Sequence, residues 1–321
     1  AGHTSGSEAT INNDAVTAID VATIETGTDA SVSAVASSTQ TASASNVGTS
    51  TVGNKNNATA SVGSSDDVIG VTDTTFTVGS DSTSFVASGS ITGAATANTT
   101  FGDATAEAGA DTEVFGLSTS GSDTLTIGQD ATSGLDLDAA SALTSVANST
   151  WESAIASSSV DSVANEAVNI TVGRDAGTIS ASSINTASAT ASTTGSLTGA
   201  DTARATITQD SIGTKDATIS IGDDGNLINF ASIAATSSAT NVGDSANTDL
   251  SSSIVNVDAQ GIEQNTAVAQ TIDIGSTGNV QSQAQVSGSS FAQNVNGSDA
   301  GTGSGSGVYA KGQTDVNGTF L

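Results

Sequence analysis

A four-residue pattern returns along this chain at nearly even steps. Val78-Gly79-Ser80-Asp81, Ile127-Gly128-Gln129-Asp130, Val172-Gly173-Arg174-Asp175 and Ile221-Gly222-Asp223-Asp224 follow one another after 49, 45 and 49 residues, each behind a Thr or Ser (Thr77, Thr126, Thr171, Ser220). A degenerate fifth copy, Ile274-Gly275-Ser276-Thr277, comes 53 residues later. The pattern has the chemistry of a strand end. A branched residue fills a core, Gly supplies a positive φ or a close backbone approach, and Asp bonds back to the turn backbone. Its return near every 50 residues predicts supersecondary units that stack, each covering the face of the one before.

Side-chain choice agrees. Val and Ile number 46 against 9 Leu, and pleated strands favour branched residues because the stiff χ1 rotamer packs well there. Large apolar residues are scarce and the net charge is −28, a balance close to that of disordered chains. The branched bias decides for a folded protein with a thin core of Ala, Val, Ile and Ser between closely approaching backbones. The expected fold is all-β: a repetitive β-solenoid or a layered β-sheet array. Period-two runs such as 82–91 and 123–127 read as strands.

One segment departs from that period. Leu143, Val146, Ala147, Trp151, Ala154 and Ile155 recur at three- and four-residue steps, and Ser149-Thr150-Trp151-Glu152 has capping-box form. This predicts a short helical insert near 139–158, with a further turn in 161–168, covering an exposed sheet. The expected organisation is a flexible N-terminus over 1–9, a repetitive β domain over 10–296 that carries the insert at 139–168, a flexible Gly/Ser tract over 297–307, and a terminal strand over 308–321. The terminal strand either folds back on its own domain or adds to the sheet of a neighbour.

Composition excludes several function classes. Five scattered cations (Lys55, Arg174, Arg204, Lys215, Lys311) cannot form the basic patch that nucleic acid requires. Without cysteine there is neither a disulfide nor a thiolate metal site. No apolar run approaches the roughly 18 residues of a membrane-spanning helix. The one histidine, His3, lies in the N-terminal stretch with nothing fixed around it, so the usual nucleophile–base pairs cannot be assembled. We therefore expect no enzyme and no required cofactor. The start at Ala1-Gly2-His3 fits a chain trimmed of a signal peptide, and the expected setting is extracellular or at the cell surface.

Natural β proteins blunt their sheet edges with Pro, Lys or bulges; this chain has no Pro and three Lys. Unprotected edges predict pairing with further copies of the same chain, and a contact that does not close produces a filament. The candidate joints are the terminal apolar residues Val308, Tyr309, Val316, Phe320 and Leu321. Asp outnumbers Glu 26 to 7, as turns and calcium loops both prefer. Candidate calcium contacts are Asp66, Asp67 and Asp73, the pair Asp136 and Asp138, and the pair Asp223 and Asp224, although none forms a known calcium-loop motif.

The expected function is a non-enzymatic, secreted structural protein that self-assembles into a filament or biofilm matrix. The alternatives are a cell-surface adhesin with a surface polysaccharide as partner, a calcium-dependent surface layer, and an ice-binding solenoid suggested by the pairs Thr26/Thr28, Thr75/Thr77 and Thr124/Thr126. In overall look the chain resembles bacterial extracellular β-strand-repeat proteins: solenoid adhesins, surface-layer proteins and secreted fibre subunits. Within Ile274 to Asn296, Gly278-Asn279, Gln281, Gln283, Gln285 and Gln293 are loosely similar to curlin-type repeats. The Gln and Asn ladders of that family are missing elsewhere, so its fold and functional residues are not carried over.

Overall fold

The computed structural model describes residues 5–11, 16–20, 23–26, 31–47, 56–63, 67–72, 75–78, 84–115, 124–127, 134–166, 169–173, 177–194, 202–215, 217–243, 250–263, 271–296 and 307–317. The chain winds through successive coils. The first contains β1 (Ser5–Ile11), β2 (Val16–Asp20), β3 (Thr23–Thr26) and β4 (Ser31–Asn46). The second contains β5 (Asn56–Val62), β6 (Asp67–Thr72), β7 (Thr75–Val78) and β8 (Ser84–Thr99). From here each coil has three strands: β9 (Ala104–Phe115), β10 (Thr124–Ile127) and β11 (Gly134–Ser149), then β12 (Ala154–Asn165), β13 (Asn169–Val172) and β14 (Thr178–Thr194). The next two are β15 (Thr202–Lys215), β16 (Thr218–Ile221) and β17 (Asn226–Gly243), then β18 (Leu250–Glu263), β19 (Ile272–Ile274) and β20 (Asn279–Asn296). A last strand, β21 (Gly307–Asn317), closes the described chain.

Like strands of successive coils pair in parallel, so the expected repetitive β architecture is present as three stacked parallel sheets, consistent with a β-solenoid. The front sheet runs β4-β8-β11-β14-β17-β20, the narrow side sheet β3-β7-β10-β13-β16-β19, and the back sheet β1-β5-β9-β12-β15-β18-β21, with β2 and β6 extending its first two rungs. The recurring motif sets the register. Val78, Ile127, Val172, Ile221 and Ile274 stand opposite one another on successive side-sheet strands. Unequal spacings in the sequence are thus absorbed in the connections while the rungs stay aligned.

The last two motif turns show why the motif has its residues. Gly225 N–H donates to Gly222 O (3.3 Å) and Gly278 N–H to Gly275 O (3.1 Å), closing two successive turns. A Cβ on Gly275 would lie 2.7 Å from Asp223 Oδ1 and 2.8 Å from its backbone nitrogen in the coil below, so the motif glycine serves close stacking. The positive φ falls instead on Asp224 (59°), a residue type that tolerates the left-handed region. Asp223 Oδ1 accepts from Ser276 N–H at 2.8 Å and ties one turn to the next.

Between front and back sheets lies a slab of small side chains. Ala95 and Ala97 on β8, Ala104 and Ala106 on β9, Ala154 and Ala156 on β12 and Ala203 and Ala205 on β15 are fully buried in one cluster. Towards the side sheet the space widens and is filled by Leu135, Leu137, Ile170, Ile179, Ile219 and Leu227. Interior serines bridge the two sheets: Thr112 Oγ1 to Ser141 Oγ at 2.8 Å, Ser145 to Ser158 at 2.9 Å, and Ser162 to Ser183 at 2.9 Å. Buried hydroxyls that are hydrogen-bonded carry little desolvation penalty, so serine serves here as a core residue.

That use of serine overturns the expected helical insert. Residues 139–149 lie in β11 and 154–165 in β12. On β11 the buried face is Leu135, Leu137, Ala139, Ser141, Leu143, Ser145, Ala147 and Ser149, while Ala142 faces outward. Counting Ser as surface and Ala as core turned a two-residue period into an apparent helical one. The capping-box geometry is present in part, since Glu152 N–H donates to Ser149 Oγ at 3.0 Å. It shapes the corner between front and back sheets, where Trp151 stacks on Phe101 of the previous coil with ring centroids 6.3 Å apart.

Candidate functional site

Register gathers acidic residues that are far apart in sequence. Asp67, Asp111, Asp161, Asp210, Asp258 and Asp315 stand opposite one another on successive rungs of the back sheet, and parallel strands set such neighbours roughly 4.8 Å apart. Burial, then the charges of Asp161 and Asp258, push the Asp210 carboxyl above the ordinary carboxylate range, and Lys215 partly offsets them. Gln260 Nε2 donates to Asp258 Oδ2 at 3.0 Å. Beside this column, Lys215 Nζ lies 3.1 Å from Oε1 of the buried Glu166, and Glu263 is its register neighbour on the other side. Burial lowers the Lys215 pKa, but Glu166 by charge and hydrogen bond, with Asp161 and Glu263, more than offsets that, so the ammonium is held above its usual range.

Of the column, only Asp67 was singled out from sequence, as a candidate calcium contact. The column's signal is an aspartate recurring at the coil length inside strands, and strand aspartates have no motif around them to betray the register. Of the candidate calcium contacts, Asp66 and Asp73 lie outside the described residues, and Asp67 joins the column on β6. Asp136 and Asp138 both face outward from β11. Burial and the neighbouring Asp136 raise the Asp138 pKa, and a hydrogen bond with Ser182 works against them. Asp223 and Asp224 form the turn before β17, where Asp223 is already engaged with Ser276 N–H and Oγ. Among the described residues no three acidic or histidine side chains are grouped to hold a metal ion.

The two ends of the stack are the other candidate site. β4 and β20, the outermost front-sheet strands, have 16 and 18 residues and, among the described residues, one strand neighbour each in their sheet. The inner face of β17 is closed, with Leu227, Ala231, Ile233 and Ala239 at 0–1 % exposure. Its continuation on β20, through Val280, Ala284, Val286 and Ala292, is only half-buried, since among the described residues the front sheet has no rung beyond β20. At the opposite end Ser7, Ala9 and Ile11 of β1 are half-buried in the same way. The four Gln residues of the curlin-like segment all lie on the exposed outer face of β20. Of the terminal residues expected at a joint, Val308, Tyr309 and Val316 pair with Ser251, Ser252 and Ala259 of β18 in the same chain. Phe320 and Leu321 lie outside the described residues.

The threonine pairs fall on the side sheet. Thr75 stands opposite Thr124 and Thr77 opposite Thr126, followed by Asn169 and Thr171, then Thr218 and Ser220. Their register escapes a search at fixed period because the coils differ in length. Thr28 lies outside the described residues. A shallow depression of about 350 Å³ at the front-to-back corner is lined by Asn98, Thr100, Asn148, Thr150, Ser192 and Thr194 among others, with no titratable group. Comparison with protein-family models, curated proteins and solved structures finds no match for this chain.

Proposed function

We propose that this protein is a non-enzymatic structural subunit that self-assembles through β-strand contacts into an extracellular filament or matrix. The observation that carries the reading is the pair of open ends on an all-parallel stack. Each strand of a parallel sheet offers complementary rows of N–H and C=O groups on its two edges, so the free edge of β20 matches the free edge of β4 in a second copy. Such a contact is heterologous and repeats without closing. The 16–18-residue edges are long, and long unprotected edges favour addition of further strands. The net charge of −28 opposes indiscriminate association and leaves end-to-end pairing as the specific route. Electron microscopy of the purified chain at high concentration, with and without calcium, tests this. Regular fibres are expected; monodisperse monomers under every condition would reject the reading.

The side-sheet threonines favour a second reading, an ice-binding surface. Hydroxyls about 4.8 Å apart between strands form a regular row over the rungs at Thr77, Thr126, Thr171 and Ser220, beside a second column in which Asn169 replaces a hydroxyl. Glu25 and Asp273 interrupt it at the two ends. A thermal-hysteresis assay separates the two readings, since a fibre subunit has no such activity.

A further inference from the structure

The back sheet has one rung more than the other two. Six rungs, from β1 to β18, are matched by six in the side sheet and six in the front sheet; β21 is a seventh with no described counterpart in either. If a second copy continues the stack, its Ile24 comes opposite Ile272 and its Ser31 opposite Asn279, the next step of the alignments running through every rung. In the back sheet the same step brings its Ser7 opposite Ser251, its Ala9 opposite Ser253 and its Ile11 opposite Val255. That place is taken in the single chain, where Val308, Ala310 and Gly312 stand opposite those residues. Two strands compete for one rung.

At the Val255 column the incoming strand is the better occupant, whereas at the Ser251 column β21 offers Val308 against Ser7. One column of the back sheet reads Ile11, Val62, Ala108, Ser158, Ile207 and Val255, and β21 ends it with Gly312. A second copy's β1 would restore isoleucine there. It would also lay its half-buried Ser7, Ala9 and Ile11 along the 288–294 stretch of β20, where Gly288, Ser290 and Asn294 meet Val255, Ser253 and Ser251 of the rung beneath. β21 has the chemistry of a strand that ends a sheet: a lysine, Lys311, and two glycines within 11 residues. Ten residues connect it to β20, a reach of roughly 33 Å when extended, enough for β21 to leave its rung while β20 stays in place.

We propose that β21 is a removable end cap, completing the back sheet of an isolated chain and yielding its rung to the β1 of an incoming copy when the stack grows. The proposal rests on the end-to-end self-assembly argued above, and it makes exchange of β21 the controlling step. Three proteins test it: the native chain, a chain shortened by residues 307–321, and Asn256→Cys/Gln313→Cys. The last joins two residues directly opposite on β18 and β21, within disulfide reach for neighbouring strands, in a chain that has no other cysteine. Growth is followed by light scattering and electron microscopy from native seeds. The shortened chain is expected to elongate several-fold faster than the native one, and the oxidised double-cysteine chain to stay monomeric until reduced. Should truncation disturb folding, as judged by circular dichroism, Gly312→Pro weakens the pairing at full length and is expected to accelerate growth likewise. A folded, shortened chain that no longer assembles while the native chain does overturns the cap and makes β21 a required joint, leaving self-assembly intact. Oxidised double-cysteine chains that grow at the native rate also overturn it. If neither the native nor the shortened chain assembles at any concentration, self-assembly falls and the cap falls with it.

Discussion

The hydroxyl of Ser183 on β14 lies 2.8 Å from that of Ser211 on β15 in the facing sheet. It is also 2.9 Å from Ser162 Oγ on β12, so one front-sheet serine bridges two back-sheet rungs. Ser211 Oγ in turn donates to Ser183 O at 2.9 Å. All three residues are fully buried. Removing one hydroxyl costs about 1 kcal/mol, rising to about 3 where buried partners lose their only bonds. We expect Ser183→Ala to lower the melting temperature by about 3–6 °C, since 1 kcal/mol corresponds to roughly 2–4 °C in larger domains. Ser183→Val should be worse, because two extra methyl groups must enter a slab built for small residues. Thermal unfolding checks both, and an unchanged Ser183→Ala would mean that the serines merely fill space.

Gly102 holds the corner between β8 and β9. A Cβ there would collide with the backbone carbonyl of Asn56 in the coil below, and backbone cannot move aside as a side-chain tip can. Gly102→Ala is expected to destabilise by about 3 kcal/mol, the upper part of the usual range for single substitutions. The sole tryptophan reports on the same corner, because Trp151 is stacked on Phe101. Its emission should shift to the red in the variant before global unfolding. Gly6→Ala, where an added Cβ meets nothing within 4 Å, serves as the control and should leave both readouts unchanged.

These two sites show what a sequence of this kind discloses and what it hides. Stacking was legible because each coil puts a branched residue at the same side-sheet position, from Val78 to Ile274. The false helix arose where Ser141, Ser145 and Ser149 are interior and Ala142 is exposed. Polarity stops reporting burial once hydroxyls satisfy one another across the core. The aspartate column was hidden for a different reason: Asp161, Asp210 and Asp258 acquire a common environment only through register. The terminal segment stayed open between two alternatives in the sequence. Only the count of rungs in each sheet sets β21 apart, as a seventh back-sheet strand with no described counterpart in the other two sheets.

Glu166 is 4 % exposed and depends on Lys215. Breaking a buried ion pair by removing one partner leaves an uncompensated charge and costs roughly 3–5 kcal/mol. The ammonium is partly exposed, at 30 %, which places Lys215→Ala at the low end, about 3 kcal/mol. Glu166→Gln in the same chain should recover most of the loss, because the stranded charge is gone. Urea unfolding of both variants decides the matter; a double variant no more stable than Lys215→Ala would locate the cost in lost packing of the lysine stem instead.

Asp210 sets the sign of the pH response. Burial and the flanking carboxylates of Asp161 and Asp258 hold its folded-state pKa above the ordinary value, against the pull of Lys215. An acid with a raised folded pKa binds its proton more tightly in the native state. Between the unfolded and folded values the native protein therefore carries more protons, and stability falls as pH rises through that interval. The contribution of Asp210 is thus most favourable in mild acid and is lost towards neutrality. Asp210→Asn removes the like-charge repulsion without changing side-chain size. At neutral pH it should raise the melting temperature by about 1–2 °C, the scale of roughly 0.5 kcal/mol for a partly exposed site. The gain should shrink as the pH is lowered into the carboxylate range, where the native aspartate is itself protonated. Melting curves of the two proteins across that range test the argument, and an Asp210→Asn chain less stable than the native one at neutral pH would show that the carboxylate is held by favourable contacts rather than strained by its column.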